Sequence, residues 1–208
     1  MIDLTVLPIF IAGAIALAIA PGPDMAFVLA TTTASGRGAG LAALIGINVG
    51  ALSWLLATVL GLSAMLAASE HALTAVRWIG GAYLIYLAIQ TLRHWNDAPT
   101  ARGARNIRRA MVRGATTNLL NPKIGLFFLA ILPQFANPDI GPVWIQMVSL
   151  AAIFMAIGNF VLVCVILIAG LARTKIAESA RWRRVLNGVA ATTFGALGLR
   201  LILSHNAA

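Results

Sequence analysis

Six stretches of this chain are apolar and long enough to cross a bilayer, which takes roughly 20 helical residues each. They run from Leu4 to about Thr33, Ala39 to Ala68, Ala72 to Leu92, Ala115 to Phe135, Pro142 to Leu171 and Val185 to Ser204. Only 10% of the residues are charged and 60% are hydrophobic. A soluble domain carries about a quarter charged residues, so such a surface cannot be built here, and the apolar content excludes disorder. The period-2 alternation of a membrane barrel is absent, so the spans are read as helices. The expectation is an all-α integral membrane protein of six transmembrane helices. Almost nothing remains for a soluble catalytic or nucleic-acid-binding domain.

The net charge of +9 is placed unevenly. Arg37 lies in the first connection, and Arg93, Arg102, Arg105, Arg108, Arg109 and Arg113 surround the third. Arg173, Lys175, Arg181, Arg183 and Arg184 fill the fifth. With six alternating crossings these three connections share one side, and the other side holds Asp3, Glu70, Arg77 and Asp139. The positive-inside rule then puts the basic connections in the cytoplasm and both termini outside. The basic runs lack interleaved aromatic platforms, so their expected partners are anionic lipid headgroups and not nucleic acid. The first apolar stretch begins with Asp3 and no Lys or Arg, and Pro21 follows Ala18-Ile19-Ala20. It is read as a retained helix, not a signal peptide. The lone Cys164 excludes a disulfide framework and reads as a packing residue.

Three spans plus three suggests a duplicated half. Pro21-Gly22-Pro23-Asp24 interrupts the first span, and Asn121-Pro122-Lys123 interrupts the fourth. Asn48 in the second span answers Asn159 in the fifth, and Gly81-Ala82 in the third answers Gly195-Ala196 in the sixth. An odd number of spans per half inverts one half relative to the other, giving a 3+3 inverted repeat with helices 1 and 4 broken. The whole of residues 1–208 is then one transmembrane domain. Its first repeat covers about 1–92, its basic connection about 93–114 and its second repeat about 115–208.

The breaks sit deep. Asp24 lies 11 residues before Ser35, about 16 Å in at 1.5 Å per residue. Lys123 lies 10 residues past Arg113, about 15 Å in by the same rise. Pro23 and Pro122 donate no backbone hydrogen bond, so each ends one half-helix and begins another. Each new half-helix offers free N–H groups and a positive dipole end, suited to a carboxylate. Asp24 is the single carboxylate of the membrane region, and charge at that depth is costly enough to mark function. A zwitterion would put its ammonium on Asp24 and its carboxylate on Lys123 and the helix starts. The alternative is that Asp24 and Lys123 simply pair. Asn48, Asn118, Asn121 and Asn159 either bond to helices or touch a solute. Gly46 and Gly50 form a GxxxG, read as close helix packing, and Arg200 is read as snorkelling outward.

Together these pieces resemble the LysE/RhtB family of bacterial amino-acid exporters. The resemblance rests on Pro21-Gly22-Pro23-Asp24, on Gly36 to Gly50 with Gly46 and Asn48, and on Gly80-Gly81-Ala82-Tyr83-Leu84-Ile85-Tyr86-Leu87. To these it adds Asn118-Leu119-Leu120-Asn121-Pro122-Lys123 and Leu132-Pro133-Gln134-Phe135. It implies a carrier in the cytoplasmic membrane that exports amino acids or close derivatives by alternating access, driven by protons. It also implies functional weight on Pro21, Gly22, Pro23, Asp24, Asn118, Asn121, Pro122 and Lys123. Asp24 is the expected proton-coupling residue. The expected partners are an amino acid, protons and membrane lipids, with a homodimer as a further expectation and no cofactor. A divalent-metal exporter needs more carboxylates, His or Cys in the membrane than Asp24 alone. Export of another small solute is the nearest variant of the carrier reading. A membrane-embedded enzyme lacks an intramembrane His base and an H-E-x-x-H motif.

Overall fold

The computed structural model describes residues 2–68, 103–104 and 106–171. It also describes helical positions 78, 81–82, 85–86, 88–90, 92–93, 188, 191–192, 195–196 and 199. Among the described residues there is no strand, and every regular element is helical. The bulk of the expected third and sixth spans, including Tyr83, Leu84, Leu87 and Arg200, lies outside the described residues.

The first helix, α1 (Leu7–Ile19), carries Pro8 in its first turn, where a missing N–H costs nothing. The second, α2 (Pro23–Ala68), is one run in sequence with a single non-helical residue, Gly36, at φ 82 and ψ 174. That conformation is essentially open to glycine alone. In an unbroken helix Thr32 and Gly40 would stand about 12 Å apart along the axis. Here the Thr32 side chain presses against Gly40 so closely that a Cβ would collide with it. The chain therefore folds back at Gly36, and α2 forms two adjacent arms. This places the expected first connection at Gly36-Arg37.

The next helix, α3 (Ile107–Leu119), starts at Asn106, whose side chain accepts from the Arg109 N–H at 2.7 Å. It packs on the second arm of α2 through small residues. A Cβ on Gly46 would collide with the Met111 carbonyl, and one on Gly114 with the Ala43 carbonyl. One on Gly50 would stand 2.8 Å from Asn118 Cβ. Gly46 and Gly50 thus serve the close approach that their spacing suggested. Opposite this seam, Leu41, Ile45, Val49, Leu52, Leu56 and Leu60 form an exposed apolar stripe, as suits a helix whose solvent is lipid.

After α3 comes the short α4 (Pro122–Leu126), then a π-helical turn at Phe127–Ile131 and a 3-10 turn at Leu132–Phe135. Pro133 offers no N–H to the carbonyl four residues back, so the α register cannot continue through it. The segment Pro122–Phe135 is bent by 52° from Ile107–Leu119. A 3-10 turn at Pro138–Ile140 leads to α5 (Val143–Leu171).

By length and composition alone Val143–Ala169 and the run Pro23–Gly61, which the fold-back at Gly36 divides, each suffice to cross a membrane, and the bent pair makes a third if counted as one span. The chain is an integral membrane protein. Two buried clusters hold it together. In one, Phe10 of α1, Phe127 and Phe128 of the π turn, Phe135 and Phe154 of α5 meet. The Phe127 and Phe154 rings stack at 4.0 Å, and Phe10 meets Phe135 edge-on at 5.1 Å. In the other, Phe27 and Val28 pack with Ala39, Ala43, Ile47, Ala110, Leu162 and Ile166, joining both arms of α2 to α3 and α5.

Candidate functional site

The two chain breaks are built alike. At the first, Ala20 leaves α1 at φ −56 and ψ 121, the extended conformation favoured before a proline. Pro21 and Gly22 then lead to Pro23, the first residue of α2. At the second, Asn121 caps α4 by accepting from the Lys123 N–H at 3.1 Å, and Pro122 opens the helix. Pro23 and Pro122 themselves are exposed and act through the backbone. In each break the residue after the helix-opening proline carries the charge, Asp24 in one and Lys123 in the other.

The carbonyl four residues before a proline loses its helical partner. Pro21 frees the Leu17 carbonyl in this way, whereas the Asn118 carbonyl, four residues before Pro122, accepts from the Asn121 N–H at 3.0 Å. Lys123 Nζ donates to Leu17 O and to Ala20 O, both at 3.0 Å. These are the last carbonyls of α1, where the helix dipole is negative. Trp54 Nε1 donates to Asn118 O at 3.3 Å, and its indole lies against Gly125 of α4. Each break therefore holds the other's charged residue: Asn118 Nδ2 donates to Asp24 Oδ2 at 2.8 Å across from α3 to α2. Gly22 makes the lysine's position possible, since a Cβ there would stand 3.0 Å from Nζ.

Asp24 and Lys123 attract each other electrostatically, and Asn121 faces the Asp24 carboxyl. They do not form a direct ion pair, because Asn118 holds one and the α1 carbonyls hold the other. The sequence offered Lys123 either a solute carboxylate or Asp24 as partner; in the structure two of its three ammonium hydrogens are engaged by main-chain oxygens, leaving one. Three buried polar atoms have no hydrogen-bond partner among the described residues: Asp24 Oδ1, Asn118 Oδ1 and Asn121 Nδ2. Leaving such an atom unpaired costs about 1–3 kcal/mol.

A cavity of about 70 Å³ opens beside these groups. Asp24, Asn118, Lys123, Asn48 and Asn159 give it polar walls, and Leu17, Ile47, Ile124, Phe154, Met155 and Leu162 give it apolar ones. Asn48 Nδ2 donates to Leu44 O at 2.9 Å and to Asn159 Oδ1 at 2.8 Å, joining α2 to α5. Pro21, Gly22, Pro23, Asn121 and Pro122 shape the breaks without lining the cavity. Sequence reasoning missed Leu17, Ala20 and Trp54. The first two act through main-chain oxygens, which no residue letter reports. Trp54 had a usable signal, because an indole N–H shielded from water needs an acceptor and a helix end offers carbonyls.

Irregular backbone inside a membrane is tolerated where protein buries it or where it lines a cavity. Broken helices carrying an acid and a base around one cavity define a helical membrane protein with a polar site among its apolar helices. The family model for the LysE type translocator matches residues 15–205, and the chain belongs to that family. It is 26% identical over 199 residues to an uncharacterised membrane protein, YrhP, of Bacillus subtilis (strain 168), covering 90% of this chain and 94% of that one. It is 33% identical over 141 residues to an uncharacterised membrane protein of Vibrio cholerae serotype O1, covering 65% and 67%. With the threonine efflux protein of Escherichia coli (strain K12) it shares 27% identity over 192 residues, covering 89% and 91%. No solved structure matches the chain.

Proposed function

We propose that this protein exports amino acids or close derivatives across the bacterial cytoplasmic membrane as a proton-coupled secondary carrier. The observation that carries the proposal is the exchange of partners between the breaks beside one cavity. Asp24 keeps a free carboxyl oxygen for an ammonium. Lys123, with one hydrogen left over, supplies a donor for a carboxylate. Family membership and the threonine efflux relatives support the same substrate class.

The proposed mechanism builds on that geometry. Six spans form two inverted halves, residues 1–208 acting as one unit. Pro23-Asp24 and Pro122-Lys123 are equivalent positions, each a helix-opening proline followed by the charged residue. The halves rock about the cavity between inward-open and outward-open states. A proton entering from outside neutralises Asp24, which loosens its hold on the substrate ammonium and releases it outward. The basic connections face the cytoplasm and its anionic lipids, both termini lie outside, and two copies associate as a homodimer.

The test uses inside-out vesicles containing the protein, with an acidified lumen and labelled threonine outside. The proposal expects accumulation that a protonophore abolishes. If threonine and a panel of other amino acids all fail to accumulate above protein-free vesicles, the proposal is wrong.

A further inference from the structure

Gly103 and Ala104, from the third connection, seat in the helix bundle as a short strap. Ala104 is 1% exposed although it belongs to no helix. A buried backbone must find hydrogen-bond partners, and here two hydroxyls supply them. The Ala104 N–H donates to Thr31 Oγ1 at 3.2 Å, and the Ala104 carbonyl accepts from Ser35 Oγ at 2.7 Å. Thr31 and Ser35 are four residues apart, so they share one face of the first arm of α2. That arm ends directly after them, at the Gly36 fold-back. Gly103 lies so close to the same arm that a Cβ would collide with the Ala30 carbonyl and stand 3.1 Å from Ala34 Cβ.

The strap sits at the end of a path that begins at the cavity. On the first arm, Asp24 and Met25 line the cavity, Phe27 and Val28 belong to a buried apolar cluster, and Thr31 and Ser35 hold the strap. Thr31 lies seven residues beyond Asp24, about 10 Å along the helix. On the second arm and on α5, Ile47 and Leu162 wall the cavity and also belong to that cluster. Ala104 is a member of it too, so its methyl closes the packing between the cavity and the Gly36 end. The strap's fastenings are hydrogen bonds between neutral groups, which add little net stability each. It can therefore leave its seat while the helices that form the seat stay folded. We propose that Gly103-Ala104 is the cytoplasmic gate of the carrier. Seated, it closes the route from the cytoplasm to the cavity; unseated, it admits substrate and leaves Thr31 and Ser35 to water. The proposal rests on the exporter reading above and adds the element that controls entry.

The test reads access to the cavity and needs no substrate. In the full chain, Cys164→Ala removes the native thiol and Met155→Cys places one in the cavity wall. Its labelling by a membrane-impermeant maleimide is timed in inside-out and in right-side-out vesicles. Gly103→Ala puts a Cβ against the Ala30 carbonyl, a helix backbone atom, so the strap is the part that must move. A larger open population should speed labelling at least about fivefold in inside-out vesicles, with right-side-out labelling within about twofold of the parent. Thr31→Val combined with Ser35→Ala removes both fastenings at near-native volume and should give the same result, should Gly103→Ala fail to fold. Inside-out labelling within twofold of the parent overturns the proposal. So does labelling that rises on both faces, which a general loosening of the protein would cause. Amino-acid accumulation is measured separately on the protein without these substitutions. Accumulation with strap-independent labelling overturns the gate alone, and strap-dependent labelling without accumulation of any amino acid overturns the exporter reading alone.

Discussion

Gly22→Ala reports directly on the lysine latch. A Cβ at this position would stand 3.0 Å from Lys123 Nζ and 3.4 Å from Cε. Comfortable heavy-atom contacts lie at about 3.5–4.0 Å, so the ammonium has to retreat by about half an ångström. Both of its bonds, to Leu17 O and Ala20 O, are already 3.0 Å long. The retreat takes at least one of them to the limit of a hydrogen bond. Losing one bond from a charged donor costs about 1.5–3 kcal/mol. Gly22 is not among the positive-φ glycines, Gly36 and Gly141, so alanine fits the backbone and returns about 0.4–1 kcal/mol through the unfolded state. The net loss of stability is about 1–2 kcal/mol. A displaced ammonium weakens substrate binding by about ten- to a hundredfold, at 1.4 kcal/mol per decade. Threonine counterflow in proteoliposomes measures the affinity, and thermal unfolding in detergent measures the stability. Gly38→Ala is the control, because a Cβ there meets nothing within 4 Å. A Gly22→Ala protein whose half-saturating threonine concentration stays within twofold of wild type would refute the reasoning.

Three further outcomes are expected. Gly50→Ala drives a Cβ to 2.8 Å from Asn118 Cβ and 3.0 Å from Ala115 O, and overpacking of this kind costs about 1–3 kcal/mol. Its unfolding midpoint in detergent should fall clearly below that of Gly61→Ala, where a Cβ meets nothing within 4 Å. Asn118→Ala removes the 2.8 Å bond to the buried Asp24 carboxyl, a loss of about 1.5–3 kcal/mol, and should lower both stability and threonine counterflow. Gln146 is fully buried and pins the turn before α5 with three bonds, to Asn137 N, Asn137 O and Gly141 O at 3.0, 2.7 and 2.9 Å. Gln146→Leu should open residues 136–142 to limited proteolysis while leaving substrate selectivity unchanged.

The chain breaks were legible because proline chemistry is local. Pro23 and Pro122 announce a helix start wherever they stand, and both open helices here. The close packing of Gly46 and Gly50 was legible because the loss of a side chain at helical spacing has few other uses. The partners of Asp24 and Lys123 were not. Lys123 finds main-chain oxygens made available by Pro21, a residue 102 positions earlier in sequence. That consequence of a proline appears only when the second break is brought alongside the first. Asn48 and Asn159 were recognisable as polar residues in lipid, yet nothing in their spacing showed that they bond to each other. The π turn at Phe127–Ile131 has no periodic signature of its own. It fits a place where Phe127, Phe128 and Phe154 pack face and edge. The expected third and sixth spans, with Gly80 and Arg200, fall mainly outside the described residues.

The account turns on Asp24 serving both substrate and proton. Its most direct measurement is threonine accumulation by Asp24→Asn in inside-out vesicles under an imposed pH gradient, with protein amount matched to wild type. Asparagine keeps the shape and the contact with Asn118 but can neither carry the charge nor take up the proton. Accumulation should fall at least tenfold. Proton-driven accumulation equal to that of the wild-type protein would contradict the account.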